Sequence, residues 1–478
     1  MPHIQTRPST SPQPLGGLMA ALIVGGITAI IDTTIVAIGL HTLIVQLHAS
    51  VSTIQWVSTG YLLALAIAIP FVSWAQEKFG GKRLWLFALG LFVLGSAACA
   101  GAWNVDALIV FRVLQGLGAG IMMPLMQTLV VQNIDREHMT TAIANVSLPA
   151  ALGPILGPVL GGVVLNWLSW HWLFLINVPI GVIGWILAFK FIKDDHPSSH
   201  ASREHLDVLG GFLLAPALAG LLYGLSNVYA DGGFARADVL IPGVGGAVLL
   251  AYFVIWAIRR HDAALVDVRL LAVRSVRISS IALTFAGAAL FAANFLLPLY
   301  FQSLRGYSVL DAAFLLIPQG VGAFLARFIV GRLVERFGSR FVTVVGSLVM
   351  AAATMPFAFA DASSNLWILG VALFIRGVGQ GVVLIPIMTV AYIDIGKKQM
   401  PHASAITRIA QQVGGSFGTA LVAVILTSQA TQTHPATGFQ AAFWGTIAMT
   451  AVVAIAGTLL PQRSKAINPP AAAQAQAA

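Results

Sequence analysis

The sequence predicts an all-α integral membrane protein whose fourteen transmembrane helices form two pseudo-symmetric six-helix halves, with two further helices inserted between them. Hydrophobic residues make up 58% of the 478 residues and charged residues only 9%, which is too apolar for a soluble globular protein. The distribution of basic residues and an internal repeat lead to the same number and grouping of helices.

Apolar stretches of about 20 residues, the length that a helix needs to cross a bilayer, recur along the chain. Residues 1–16 are polar and have no small-residue cleavage site, so we expect a disordered tail rather than a signal peptide. Residues 463–478, rich in Ala, Gln and Pro, predict a second disordered tail. The predicted helices are 18–41, 54–75, 84–103, 106–130, 140–165, 171–191, 206–228, 238–258, 277–301, 308–331, 340–360, 364–388, 402–427 and 439–460.

Basic residues lie mainly on one side of the predicted bundle. The loops on the side of the two termini contain 20 of the 26 Lys and Arg residues, and the opposite loops contain only Arg236 and Arg305. By the positive-inside rule both termini are then cytoplasmic, and we expect a multi-pass protein of the plasma (inner) membrane. The net charge of +9 is expected to face anionic lipids of the cytoplasmic leaflet rather than nucleic acid.

Three sequence patterns occur twice in the same order, which indicates a duplication. The matches pair Glu77–Gly80 with Glu335–Gly338, Gly116–Gly120 with Gly377–Gly381, and Gly153 and Gly157 with Gly414 and Gly418. The offsets of 258 and 261 residues exceed the length of six helices, so two helices are inserted. We expect an N-terminal half at 17–192, a linker with the extra helices at 193–260 and a C-terminal half at 261–462. Two related halves around a central cavity are typical of transporters.

The first helix carries an acidic residue, Asp32, in a stretch that is otherwise apolar. Ionisable groups at such depth cost about 2.5–3.5 kcal/mol to insert and mark functional sites. Asp32 precedes His41 by nine residues, or about 13 Å, and Arg112 follows Asp106 by about 9 Å of helix. The depths are compatible, so we expect a pair. The alternatives are a structural role for Asp32 and snorkelling of Arg112 to the outer headgroups.

Mixed charges around a Gly turn join the second and third helices. Such a loop can bind partners in one conformation and release them in another, which would make it a gate; ordinary anchoring by basic residues is the alternative. The candidate gating residues are Glu77, Lys78, Gly80, Lys82 and Arg83.

Small residues and prolines alternate in the fifth helix. The glycines lie four residues apart, so they share one face and allow another helix to approach closely, while each proline removes a backbone donor and bends the helix. Generic close packing is the alternative interpretation. The residues of this motif are Gly153, Pro154, Gly157, Pro158, Gly161 and Gly162.

Together these segments resemble the major facilitator superfamily. Ser73–Arg83 is similar to its signature between helices 2 and 3, Arg112–Gly118 to its helix-4 arginine motif linked to proton coupling, and Gly153–Gly162 to the helix-5 pattern of its exporters. Asp32–Val36 resembles the helix-1 signature of the fourteen-helix drug:H+ antiporters. Three further segments resemble the same branch: Trp56–Pro70, Trp172–Pro179 and Leu297–Gly306.

The resemblance implies a major facilitator fold and a proton-coupled antiporter that exports amphipathic or cationic drugs by alternating access. Export of a metabolite, lipid or amino acid on the same scaffold is the alternative. A membrane-embedded enzyme or sensor is less well supported, because the sequence shows neither clustered titratable residues at one face nor a soluble domain. A channel is possible in principle, but the duplicated halves and the kinked Gly/Pro helix favour alternating access. The residues implied in proton coupling or substrate contact are Asp32, Thr33, Thr34, Arg112 and Gln115.

The second half has no acidic counterpart of Asp32, because the repeat offset leads to Ala293 or Asn294. Asn294, Arg376 and Arg408 are its candidate polar contacts, and the two embedded cations require carbonyls, waters or an acid nearby. Several amides either line the cavity or bond between helices. They are Gln115, Gln127, Asn145, Asn294, Gln319 and Gln411.

No cofactor or metal site is predicted. Gly80-Gly81-Lys82 lacks the spacing of a nucleotide-binding loop, so the expected energy source is an ion gradient, and the expected partners are a small-molecule substrate, protons and lipid. The single Cys99 excludes disulfides, and His196, His200 and His205 are expected in a solvated loop. Whether a periplasmic adaptor binds stays open.

Overall fold

The computed structural model describes residues 15–133, 152–153, 155–193, 207–227, 236–260, 266–395, 399–429 and 435–461. Within these ranges all regular secondary structure is helical. Several predictions fall outside them: nearly all of both tails, Asn145 and Pro154 in the predicted fifth helix, and the three loop histidines.

The α-helices of the described ranges are numbered here along the chain. In chain order they are α1 (Leu15–Gln46), α2 (Val51–Ala68), α3 (Val72–Phe79), α4 (Gly81–Ala100), α5 (Val105–Asn133), α6 (Ile155–Trp167), α7 (Trp172–Leu175), α8 (Asn177–Phe191), α9 (Val208–Asn227), α10 (Ala237–Arg260), α11 (Arg274–Leu299), α12 (Val309–Ala358), α13 (Leu366–Val390), α14 (Met400–Gln429) and α15 (Pro435–Leu459).

The described part of the chain has helical segments at all fourteen predicted spans. Eleven helices there are long and apolar enough to cross a membrane, and α6 and α9 contain shorter apolar segments. The 50 residues of α12 are two spans, because Gly338 inside it has non-helical dihedral angles. The span predicted near 54–75 is present at Val51–Phe71, and a 3₁₀ turn at Ile69–Phe71 separates α2 from α3. Pro70 in that turn lacks a backbone donor.

Two glycines form the same turn in the two halves. Gly80 has φ 82° and ψ 152°, and Gly338 has φ 83° and ψ 154°, a region that is essentially restricted to glycine. These are the residues that the first repeat pairs, so the duplicated sequence has duplicated backbone geometry. We call the side of the bundle with these two turns the basic side, because Lys78, Lys82 and Arg336 flank them.

Replacing Gly338 by Ala is expected to lower the unfolding free energy by about 1–3 kcal/mol through backbone strain alone, since no atom lies within 4 Å of the added Cβ. Gly331→Ala is the matched control: it also meets open space, but a helical Ala is favoured by about 0.5–1 kcal/mol. Thermal unfolding of the two purified variants should therefore shift in opposite directions, and equal shifts would contradict the strain argument.

The second repeat also has the same packing role in both halves. A Cβ on Gly116 would lie 2.5 Å from a backbone oxygen of α2, and one on Gly118 would lie 2.8 Å from a backbone oxygen of α4. In the second half a Cβ on Gly377 would overlap a backbone oxygen in the first part of α12, and one on Gly379 would lie 3.0 Å from a backbone oxygen in its second part. Alternate glycines thus let one helix touch two neighbours in each half.

The two halves meet along α14 against α2 and α1 against α11. The inserted helices α9 and α10 pack on each other, and α9 also packs on α2 and α14. On the side opposite to the basic side, the Gln302 amide nitrogen donates a 2.9 Å hydrogen bond to the Ile38 carbonyl. A Cβ on Gly162 would lie 2.6 Å from the Ala313 side chain of the other half. A hydrophobic cluster with members from both halves surrounds these contacts, so the bundle is closed on that side.

Candidate functional site

Asp32 lies in α1 inside the first half and is completely buried. One carboxylate oxygen accepts a 2.5 Å hydrogen bond from Arg112 Nη1, which makes the two residues a buried ion pair. The other oxygen accepts 2.9 Å hydrogen bonds from the Gln115 and Asn177 amides. Asp32 and Arg112, which the sequence predicts at a similar depth in the membrane, are therefore in contact.

Arg112 in α5 is 1% exposed and is held by several groups at once. Its Nε donates to the Val57 carbonyl at 3.0 Å, and Nη1 also donates to Gln115 Oε1 at 2.7 Å. The centre of the Tyr61 ring lies 4.0 Å from the guanidinium carbon, within range of a cation–π interaction. These contacts are internal to the first half, which excludes snorkelling of Arg112.

Three further side chains complete this group and were given no role by the sequence. Gln115 Nε2 donates to Ser96 Oγ at 2.6 Å, and the Cys99 thiol donates to Gln115 Oε1 at 3.7 Å. Tyr61 donates from its hydroxyl to the Ala29 carbonyl at 3.4 Å. In the sequence, each of these side chains is recognisable only as a polar residue in an apolar stretch, and this does not show which face of its helix the residue occupies.

A cavity of about 380 Å³ lies between the two halves. Thr33, Thr34 and Tyr61 contribute to its wall, whereas Asp32 does not. A second space of about 20 Å³, bounded by Thr33, Tyr61, Asn294 and other side chains of both halves, reaches Arg112. The ion pair therefore lies behind Tyr61, and the residues that the sequence grouped together occupy two adjacent sites.

The motif of α6 packs on α1 next to Asp32. A Cβ on Gly157 would overlap Thr34, and one on Gly153 would lie 2.7 Å from Ile30. Gly161 faces Ile35 and Ile38 in the same way. Further along the motif, Pro158 lines the cavity and Gly162 contacts the other half at α12. The motif thus connects the α1 segment around Asp32 with the interface between the halves.

The candidate gating residues surround the Gly80 turn. The side chains of Glu77, Lys78 and Arg83 are exposed. The Lys78 ammonium lies 4.8 Å from the Trp74 ring centre, and that of Lys82 lies 5.3 Å from the Phe189 ring centre. Both rings belong to the first half.

In the second half, Arg376 occupies the repeat position of Gln115, at the same offset of 261 residues that pairs the glycine motifs. It is 1% exposed and donates from Nη2 to the Ala289 carbonyl at 3.4 Å, while its Nε and Nη1 have no partner in the described part of the chain. The buried Ala293 is at the position of Asp32. Arg408 donates to Gln127 Oε1 of the first half at 2.8 Å, and Asn294 lines the cavity.

Comparison with known proteins gives the same family along most of the chain. Residues 22–419 match the model of the Major Facilitator Superfamily. A multidrug resistance protein B homolog of Mycobacterium tuberculosis is 36% identical over 409 residues, which are 85% of this chain and 75% of that protein. A putative multidrug resistance protein MdtD of Serratia proteamaculans is 30% identical over 398 residues, which are 83% of this chain and 82% of that protein.

Solved structures of low sequence identity share the fold. A D-xylose-proton symporter has a TM-score of 0.65 at 15% identity, covering 93% of this chain and 97% of the symporter. A bacterial homolog of the human lysosomal transporter Spinster, in an inward-facing and unoccupied conformation, has a TM-score of 0.66 at 14% identity. The match covers 96% of this chain and 100% of that homolog. The fourteen spans, the duplicated halves and these matches agree: the chain is a multi-pass membrane protein that belongs to the Major Facilitator Superfamily.

Proposed function

We propose that this protein is a proton-coupled antiporter that exports amphipathic or cationic small molecules across the plasma membrane by alternating access. The observation that carries the proposal is the completely buried Asp32–Arg112 ion pair directly behind a cavity shared by both halves. Relatives named as multidrug resistance proteins support export of small molecules. The protein thus acts as a transporter rather than an enzyme.

Protonation of Asp32 is the coupling step in this proposal. An ionised Asp32 compensates the buried Arg112, whereas a neutral Asp32 leaves the guanidinium without a counter-charge in an apolar environment, which is strongly unfavourable. The proton thereby favours a different arrangement of α1 and α5. Because α6 packs on the same part of α1 and touches α12 through Gly162, such a rearrangement is transmitted to the interface between the halves.

The narrow space beside Tyr61 is the proposed route between the cavity and the pair. It is bounded by Thr33, Tyr61, Arg112 and Asn294, among others. A substrate in the cavity lies against Thr33 and Tyr61, which both adjoin the pair, so that occupancy and protonation influence each other. Exchange follows if the substrate-bound state releases the proton.

The positive-inside rule supports a cytoplasmic location for the basic side and for both termini. The contacts between Gln302 and Ile38 then close the external face, so the described conformation belongs to the inward-facing part of the cycle. Residues Glu77–Arg83 at the basic side would serve as the gate that forms new contacts when the cavity opens outward.

Everted membrane vesicles containing the full chain test the proposal. Ethidium and chloramphenicol are each added with an energised membrane and again after a protonophore. We expect uptake of at least one compound that collapses with the proton gradient. Uptake that survives the protonophore, or uptake of neither compound above vesicles lacking the protein, would contradict proton-coupled export.

A further inference from the structure

The cavity has two chemically different walls. The wall contributed by the first half consists of apolar side chains and of three hydroxyl side chains that already donate to backbone carbonyls of α1. Thr33 donates to the Ile30 carbonyl at 2.8 Å, Thr34 to the Ile31 carbonyl at 3.0 Å and Tyr61 to the Ala29 carbonyl at 3.4 Å. The wall of the second half contains five amide side chains from four helix segments. They are Asn294, Gln319, Gln380, Gln411 and Gln412.

No charged side chain is among the described residues that line this cavity. The ion pair is separated from it by Tyr61, and Arg376 is not part of its wall. A permanent cation that entered would lose water without gaining a counter-charge, which is costly in a low-dielectric site. The cavity is therefore poorly suited to ligands that depend on charge.

The amides of the second half have unused hydrogen-bonding capacity. The side-chain oxygens of Gln319, Gln380 and Gln412 are buried and have no hydrogen-bond partner in the described part of the chain. Buried polar groups are normally satisfied, so these atoms indicate a missing partner. Since each amide carries both an acceptor oxygen and two N–H donors, the matching ligand both donates and accepts hydrogen bonds.

We infer that the cavity binds a neutral amphiphile, with hydroxyl, amide or carbonyl groups along one edge that faces the second half and an apolar face against α1 and α2. This inference rests on the proposed export function and narrows its substrate class from amphipathic or cationic molecules to neutral amphiphiles. The volume of about 380 Å³ lies in the range of about 300–1,000 Å³ that is typical of sites for drug-sized ligands.

Binding to the purified full-length protein tests this inference without any proton gradient. Equilibrium dialysis compares two neutral probes that carry amide or carbonyl groups, chloramphenicol and linezolid, with the permanent cation ethidium. We expect at least one neutral probe to bind more tightly than ethidium. We expect Gln319→Leu and Gln380→Leu each to raise its Kd by about tenfold, the effect of losing one buried hydrogen bond. Gln440→Leu is the control, since Gln440 donates to the Ala360 carbonyl outside the cavity.

Introducing a charge gives the reciprocal test. Gln380→Glu is expected to tighten ethidium binding by about tenfold and to weaken binding of the neutral probe, because a buried carboxylate attracts a cation and lacks the amide donors. Three results would each overturn the inference. Ethidium binds the unmodified protein more tightly than both neutral probes do, neither neutral probe binds, or the Leu variants leave the Kd of the neutral probe unchanged. These outcomes differ from a failure of the proposed function, which would show as normal binding without gradient-driven transport.

Discussion

Asp32→Asn is expected to reduce gradient-driven transport to the level of protein-free liposomes while the protein keeps its fold. The substitution preserves the shape of the side chain but removes the only group of the ion pair that can exchange a proton, because Arg stays charged at all accessible pH values. Asn177 can adapt, since its own side-chain oxygen has no partner in the described residues and can accept from the new amide. Proteoliposomes with an imposed pH gradient and a compound accepted in the vesicle assay measure the effect.

The matched control for this variant is Asp106→Asn. Asp106 is an exposed acid in the first turn of α5, the helix that carries Arg112, so its neutralisation should leave transport unchanged. Substrate binding should persist in both variants, because Asp32 does not line the cavity. Continued extrusion by Asp32→Asn under a pH gradient would show that Asp32 is not the coupling group.

Arg112→Met is expected to lower the unfolding free energy by about 3–5 kcal/mol, the usual effect of leaving one member of a buried ion pair alone. Asp32 would retain its hydrogen bonds from Gln115 and Asn177 but would lose its counter-charge. The cation–π contact with Tyr61 would be lost as well. Unfolding of the detergent-solubilised protein, followed by its intrinsic fluorescence, measures the change.

The double variant Asp32→Asn with Arg112→Met separates charge from packing. Removing both charges takes away the unpaired carboxylate, so the double variant should be more stable than Arg112→Met alone, in agreement with the general behaviour of buried pairs. Strictly additive destabilisation by the two substitutions would mean that the residues are not energetically coupled.

Helix number and depth were predictable from the sequence, and helix rotation was not. Length and hydropathy specify each span, and a rise of 1.5 Å per residue placed Asp32 level with Arg112. Successive residues of a helix, however, point about 100° apart. Asp32 therefore faces α5, while Thr33 and Thr34 face the cavity, and this division depends on how α1 is rotated in the bundle.

The cage around the pair shows a second limit of sequence reasoning. Ser96 and Asn177 come from α4 and α8, distant along the chain, and each is a single polar residue in an apolar stretch. Their convergence on Gln115 and Asp32 is a property of helix packing. The second glycine repeat was a better guide, because an added Cβ on Gly116, Gly118, Gly377 or Gly379 would meet a backbone oxygen of a neighbouring helix segment, the close approach that such spaced small residues predict.

The second half has the buried Ala293 at the repeat position of Asp32, so the proposed coupling uses a single acid, and a single exchanged proton limits the concentration ratio that such a transporter can maintain. With one proton exchanged per neutral molecule, an electrochemical difference of 100 mV, about 2.3 kcal/mol, supports a concentration ratio of roughly 50-fold at about 1.4 kcal/mol per tenfold. A second exchangeable proton would square that ratio. In the proposed mechanism the first half alone thus determines how steep a gradient the protein can maintain, because the second half has Ala293 at the position of Asp32 and Leu373 at that of Arg112.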